Sequence, residues 1–164
     1  MRESAARTAS DLRSLLSVLR RPDDPDLAAA VPGLDAVPGL VDESIEAGMP
    51  LVATVRIEGE SGLDPFVGQT AHRITQELLT NARRHAPGAG VRLAFVARPA
   101  DGVTIEVANR RREQSAHVEG GGLTGVRERA ARVDGEAHVT VDDEGNFRVA
   151  VRLPWRQAQR MEPR

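Results

Sequence analysis

The 164-residue chain has no cysteine and no tyrosine, and aromatic residues make up only 2% of it. Without thiols there is no disulfide, no cysteine nucleophile and no zinc–thiolate centre. Without a set of aromatic side chains there is no platform on which single-stranded nucleic acid can stack its bases. Neither sign of charge dominates. A formal net charge of −2 at pH 7 leaves no electrostatic footprint for a polyanion. No stretch approaches the roughly 18 consecutive apolar residues of a membrane span. The N-terminus, MRESAARTASDLRSLL, is charged and lacks the apolar run of a signal peptide. A cytoplasmic location is therefore expected, with no nucleic-acid partner and no direct membrane contact.

What remains is 40% apolar and 28% charged, the balance of a globular domain. Its core must be aliphatic. Leu12, Leu15, Leu16 and Leu19 recur at spacings of three and four, predicting a helix over residues 5–20 that Pro22 ends. Residues 21–39 carry four prolines and read as a mostly irregular linker, followed by a short helix from about Pro38 to Ala47 that Gly48 caps. Residues 50–59 alternate as a strand, with Val52, Val55 and Ile57 among the apolar positions. Asp64 and Pro65 then open a long helix as N-cap and first helical residue, and Pro87-Gly88 closes it. A hairpin follows, with strands over about 91–98 and 103–108 around the turn PADG. RREQSAHVEGGG is polar and glycine-terminated, so the loop from about Arg110 to Gly121 is expected to be mobile. LTGVRERAARVDG is a helix with Val126, Ala130 and Val133 on its apolar stripe and Gly135 as cap. A second hairpin turns at DDEGN, and the charged tail RQAQRMEPR is expected to fray. Hairpins separated by helices predict an α+β fold: a two-layer sandwich with a mixed, mostly antiparallel sheet covered on one face by helices.

Within the long helix, Glu77, Asn81 and His85 stand four residues apart. Four residues turn a helix by about 400°, so these side chains form one stripe that drifts only about 40° per step. Ile74, Leu78 and Ala82 form a second, apolar stripe at the same spacing. A polar stripe is ordinarily a solvated face. Here it is followed by GGGLTG, residues 120–125, at the start of the next helix, where exposed backbone N–H groups and the helix dipole favour an anion. Taken together the two segments describe a nucleotide site, with Asn81 as a hard oxygen ligand for Mg²⁺ and glycine amides around phosphates.

QELLTNARRHA resembles the N box, and GGGLTGVRERA the G2 box, of the GHKL ATPases with the Bergerat fold, specifically those of sensor histidine kinases of the nitrate-sensor type. The strand pair between the boxes and the final GNFRVAVRLP fit the same pattern, so the resemblance covers roughly residues 50–154. It implies an ATP-binding catalytic domain over 49–156, preceded by a dimerisation-helix remnant over 1–21 and a linker with a short helix over 22–48, and followed by a tail over 157–164. It implies ATP and Mg²⁺ as ligands. Asn81 matches the Mg²⁺-chelating asparagine. Glu77 matches the carboxylate that polarises the attacking group near the γ-phosphate. Arg84 and His85 match the basic end of the N box near the phosphates. Gly120, Gly122, Leu123 and Gly125 match the G2 pattern that closes over the triphosphate.

Two departures qualify the match. The family's G1 box usually reads Asp-x-Gly-x-Gly, and its aspartate accepts the adenine amino group. Here VANRRREQ puts Asn109 at the aspartate and Arg111 at the first glycine. An asparagine oxygen still accepts from an amino group, but without charge and with a competing donor beside it. The phosphoacceptor histidine of the family sits on a first dimerisation helix that these residues do not contain. The resemblance therefore implies the catalytic half of a kinase, acting on a histidine-containing dimerisation domain and signalling to a response regulator, as a homodimer in its full-length form. Two other possibilities stand beside it: a degenerate relative that binds nucleotide weakly and serves as an interaction module, and an anti-sigma-type serine kinase of the same fold.

Overall fold

The computed structural model describes residues 31–110, 121–143 and 145–158. The helix expected over 5–20 lies outside these residues, as do residues 111–120 of the loop expected from about Arg110 to Gly121; Arg110 itself ends a strand and Gly121 begins a helix. The compact unit begins at Pro32. In chain order it contains α1 (Val37–Glu46), β1 (Leu51–Ile57), α2 (Pro65–His85), β2 (Val91–Arg98), β3 (Gly102–Arg110), α3 (Gly121–Ala131), β4 (Glu136–Val141) and β5 (Asn146–Leu153), with short 3-10 turns at Leu34–Ala36 and Glu60–Gly62.

The five strands form one sheet in the order β1-β2-β3-β5-β4. β1 runs parallel to β2, and every other pairing is antiparallel. The mixed α+β sheet with helices on one face is thus the predicted class. The register explains the core. Val55, Phe95, Ile105, Val151 and Ala137 stand in one row across all five strands; Ala53, Leu93, Val107, Val149 and Val139 stand in the next. These rows face the helices. Val67, Ala71, Ile74, Leu78 and Ala82 of α2 and Val126 and Ala130 of α3 bury against them, together with Val133.

Local chemistry sets the helix ends as expected in α2. Asp64 Oδ1 accepts from the Phe66 N–H at 2.9 Å, with Pro65 at the first helical position. Gly48 takes φ +82° after α1, a left-handed conformation that glycine adopts without steric cost.

Four sequence expectations change. Leu34 and Val37, inside the stretch read as irregular linker, are 2% and 0% exposed and belong to the core, because the 3-10 turn and α1 pack on α2. Val52 is 70% exposed, because the inner face of β1 is carried by Leu51, Ala53, Val55 and Ile57. After α3 the left-handed residue is Asp134 at φ 55°, not Gly135. Gly135 serves a close approach instead: a Cβ there would lie 2.6 Å from the Arg152 carbonyl oxygen. The tail is paired through residue 158, with the Asp64 N–H donating to the Arg156 carbonyl at 2.8 Å and the Ala158 N–H to the Gly62 carbonyl at 3.1 Å.

His72, on α2, is 7% exposed. Burial, reinforced by neighbouring Arg73, holds its imidazole below the usual value of 6.5, against the opposing pull of Asp35 and Glu43. A histidine whose folded pKa is lowered binds fewer protons folded than unfolded, so its contribution to stability is present above the unfolded pKa and is lost as pH falls below it. The chain should lose stability between about pH 7 and pH 5 as unfolded-state histidine takes up a proton. Urea midpoints at both pH values should show a smaller acid-side loss in His72→Leu than in the parent; equal losses would remove His72 from the account.

Candidate functional site

The site is built from two helices. The cap at Asp64 and the buried stripe of Ile74, Leu78 and Ala82 fix the rotation of α2 against the sheet. That rotation leaves Glu77 and Asn81, one turn apart, half-buried beside the apolar stripe instead of in open solvent. α3 is anchored by Val126 and Ala130, at 1% and 0% exposure, and its first turn is laid over this pair. A Cβ placed on Gly122 would lie 2.7 Å from Asn81 Nδ2, 2.8 Å from Glu77 Oε1 and 3.0 Å from Asn81 Oδ1. Gly122, Glu77 and Asn81 are therefore brought together, from positions more than 40 residues apart in sequence.

The other predicted site residues are distributed around this centre. Gly125, in the same first turn, faces the Arg129 guanidinium, with a Cβ there 2.9 Å from Arg129 Nη1. Leu123 is half-buried and packs on the core edge. Arg84 and His85 end α2 as exposed side chains. Asn109 is 9% exposed on the helix-facing side of the sheet, in register with Val91 and Phe147, and its Nδ2 donates to the Arg110 carbonyl at 3.4 Å. Gly120 lies outside the described residues. The helix was expected to begin at about Leu123; it begins at Gly121, so Gly121 and Gly122 are helical as well as Gly125. Tertiary contact with Glu77 and Asn81 overrides their low helix propensity.

Arg129 was not singled out from the sequence. The signal was its i+4 spacing from Gly125, which folds a cation back over the glycine turn.

The donor set fits Mg²⁺ in its usual mode. Among the described residues no group of three or more His, Cys, Asp or Glu side chains is arranged to hold a metal by itself. Mg²⁺ ordinarily takes one or two protein oxygens and completes its shell with phosphates and water. Glu77 and Asn81 supply two hard oxygens on adjacent turns. A cavity of about 210 Å³, lined by Met49, Pro50, Ala82, Arg83, Ala86 and Val91 among others, includes none of Glu77, Asn81 and Gly122. Its largely apolar lining offers no comparable oxygen donors, whereas Glu77 and Asn81 meet Gly122 at the α2–α3 contact.

No family model matches the chain, and no curated protein sequence matches it. Solved structures do. The blue-light-activated histidine kinase EL346 of Erythrobacter litoralis superposes with a TM-score of 0.56 at 16% identity, over 76% of this chain and 46% of that one. The chain thus spans less than half the length of that kinase. The histidine kinase domain of the same protein gives a TM-score of 0.53 at 16% identity, over 75% of this chain and 65% of that one. The catalytic domain of the histidine kinase ThkA gives 0.51 at 16% identity, over 74% of this chain and 89% of that one. The chain has the fold of histidine-kinase catalytic domains. No helix among the described residues is long and apolar enough to cross a membrane.

Proposed function

We propose that the chain is the ATP-binding catalytic part of a sensor histidine kinase of the nitrate-sensor type, transferring the γ-phosphate of ATP to a histidine on a dimerisation domain, for onward signalling to a response regulator in the cytoplasm. The observation that carries this is the convergence of Glu77 and Asn81 on Gly122, set in a fold shared with histidine-kinase catalytic domains.

Phosphoryl transfer asks little covalent chemistry of the protein; positioning and charge neutralisation do most of the work. Asn81 and Glu77 would hold Mg²⁺, which when bound neutralises phosphate charge. Glu77 orients the incoming group by accepting its hydrogen bond. The glycine turn lets backbone N–H groups come close to phosphate oxygens, where any side chain would intrude. Arg129, folded over Gly125, brings a cation to the same place. Asn109, its Nδ2 turned to the Arg110 carbonyl, keeps Oδ1 for the exocyclic amine of adenine. The absence of the family's aspartate at this position favours, as a second possibility, a module that binds nucleotide weakly and works through protein contacts.

Transfer needs an acceptor nitrogen in line with the γ-phosphate. His85 is one turn from Asn81 on the same rigid helix and is not placed to attack. With γ-labelled ATP the chain alone should take up no label. With a separate histidine-bearing dimerisation domain, acid-labile label should appear on that domain. Stoichiometric acid-labile label on this chain alone, or none on the added domain, would contradict the proposal.

A further inference from the structure

Every buried hydrophobic residue of the strands belongs to the rows that meet the helices. The intervening residues point to the other face of the sheet, and among the described residues no helix packs on them. The register sets this open face in rows as well. Arg92 and Arg148 stand in one row, Glu106 in the next, and Arg56, Arg152 and Glu136 in the third. Apart from Glu106, the residues between them on β2, β3 and β5 are short: Ala94, Val96, Thr104, Ala108 and Ala150. The guanidiniums therefore stand above a low floor. The three rows hold four arginines and two glutamates, in a chain whose net charge is −2. Arg148 pairs with Glu106, and Glu136 contacts His138 at the β4 edge. Arg56, Arg92 and Arg152 are exposed and make no ion pair among the described residues.

We infer that the open face of the sheet docks an acidic helix of a partner protein, with Arg56, Arg92 and Arg152 as its carboxylate contacts. The sign of the charge selects an acidic partner, and the planar fork of arginine suits carboxylates. The backbone selects a helix. β2, β3 and β5 each pair on both sides, so their N–H and C=O groups are already bonded within the sheet. An extended segment laid on this face finds no backbone partner, whereas a helix satisfies its own. The spacing fits. Arg56 and Arg152, three strands apart in one row, are separated by about 14 Å and straddle a helix about 10 Å across. Arg92 lies about 13 Å away along the strands, a distance that about nine residues of helix span.

Other occupants fit less well. Val52 is the one large apolar side chain exposed on this face, too little to insert into a lipid bilayer. No Phe or Trp of the strands lies on it, so nucleic-acid bases have nothing to stack on. α1 carries Asp42, Glu43 and Glu46 and no basic residue, but it belongs to the helix layer across the sheet. A second copy's α1 would dock head to tail and grow an open chain, not a closed dimer. The face lies across the sheet from α2 and α3, so the inference stands or falls independently of the nucleotide reading.

The probe is a synthetic alanine-rich peptide of about 20 residues, long enough to be helical in isolation, with glutamates placed to meet the three arginines. It is titrated into the full chain and followed by amide chemical shifts. The amides of Ala94, Glu106 and Ala150 should shift, and those of Ala71 and Ile74 in the helix layer should not. The triple variant Arg56→Gln, Arg92→Gln, Arg152→Gln should bind about tenfold more weakly. A matched triple variant, Arg73→Gln, Arg83→Gln, Arg132→Gln, removes the same charge from exposed positions on other elements and should bind as the parent does. Equal losses in both variants would reduce the effect to net charge and overturn the inference. So would an unstructured polyglutamate of equal charge, phosphatidylserine vesicles or duplex DNA shifting the same amides at a lower concentration than the helix. So would no shift at any amide of the parent. In sedimentation the chain alone should stay monomeric; self-association that the first triple variant abolishes would make the occupant a second copy and overturn the inference. Should that variant fail to fold, the parent's shift map with the four probes still decides.

Discussion

Asn81→Ala is expected to abolish the Mg²⁺ dependence of nucleotide binding and to weaken binding in the presence of Mg²⁺ by about 100-fold. Outer-sphere partners of a metal are commonly worth 10–100-fold in affinity, and the proposed function makes Asn81 a direct ligand, so about 100-fold is a floor. The side chain is half-buried and faces Gly122, while the buried stripe of α2 runs through Ile74, Leu78 and Ala82. Truncation therefore opens no core cavity, and the melting temperature should stay within a few degrees of the parent. The informative readout is the ratio of affinities with and without Mg²⁺. Loss of the ligand brings the ratio close to one, whereas a general loss of packing leaves it unchanged. A variant that keeps the parent's ratio would show that Asn81 is not the ligand.

Phe95→Ala should cost about 3–5 kcal/mol of stability. Phe95 is fully buried in the middle of β2, in register with Val55 on one side and Ile105 on the other, and beneath the helix layer. Among the described residues it is the largest of the fully buried side chains. Its neighbours on the inner face are aliphatic residues already committed to their own rows, so the space left would not be refilled. A domain of this size is stable by about 5–15 kcal/mol, which places the variant near the edge of folding. Urea unfolding of parent and variant measures the difference; a loss under about 1 kcal/mol would mean the two-layer core is arranged differently.

The long helix and the first hairpin were legible because their signals are local. Asp64-Pro65 fixes one end of α2, the four-residue apolar stripe fixes its buried face, and β2 runs from Val91 to Arg98 as the alternation predicts. β1 was legible as a strand but not in its facing. Val52, Thr54 and Arg56 alternate with Leu51, Ala53, Val55 and Ile57, and only the parallel pairing to β2 decides which set meets the helices. Leu34 and Val37 were hidden by Pro32, Gly33, Pro38 and Gly39, which read as linker although Pro38 is compatible with the first turn of a helix.

Around the candidate site, the i, i+4 spacing of Glu77 and Asn81 sets both on one side of α2, where Gly122 of the glycine cluster meets them. The helix starts two residues earlier than its sequence pattern suggests, at Gly121 instead of Leu123, because glycine propensity argues for a loop there. The burial of His72 follows from the packing of α1 and the 3-10 turn on α2, which no local signal announces.

The most direct test is a calorimetric titration of the full chain with ATP, once with Mg²⁺ and once with the metal chelated. Saturable binding below millimolar concentration that depends on Mg²⁺ is the expected result. No binding at millimolar Mg-ATP would contradict the nucleotide site and leave the fold serving as an interaction module.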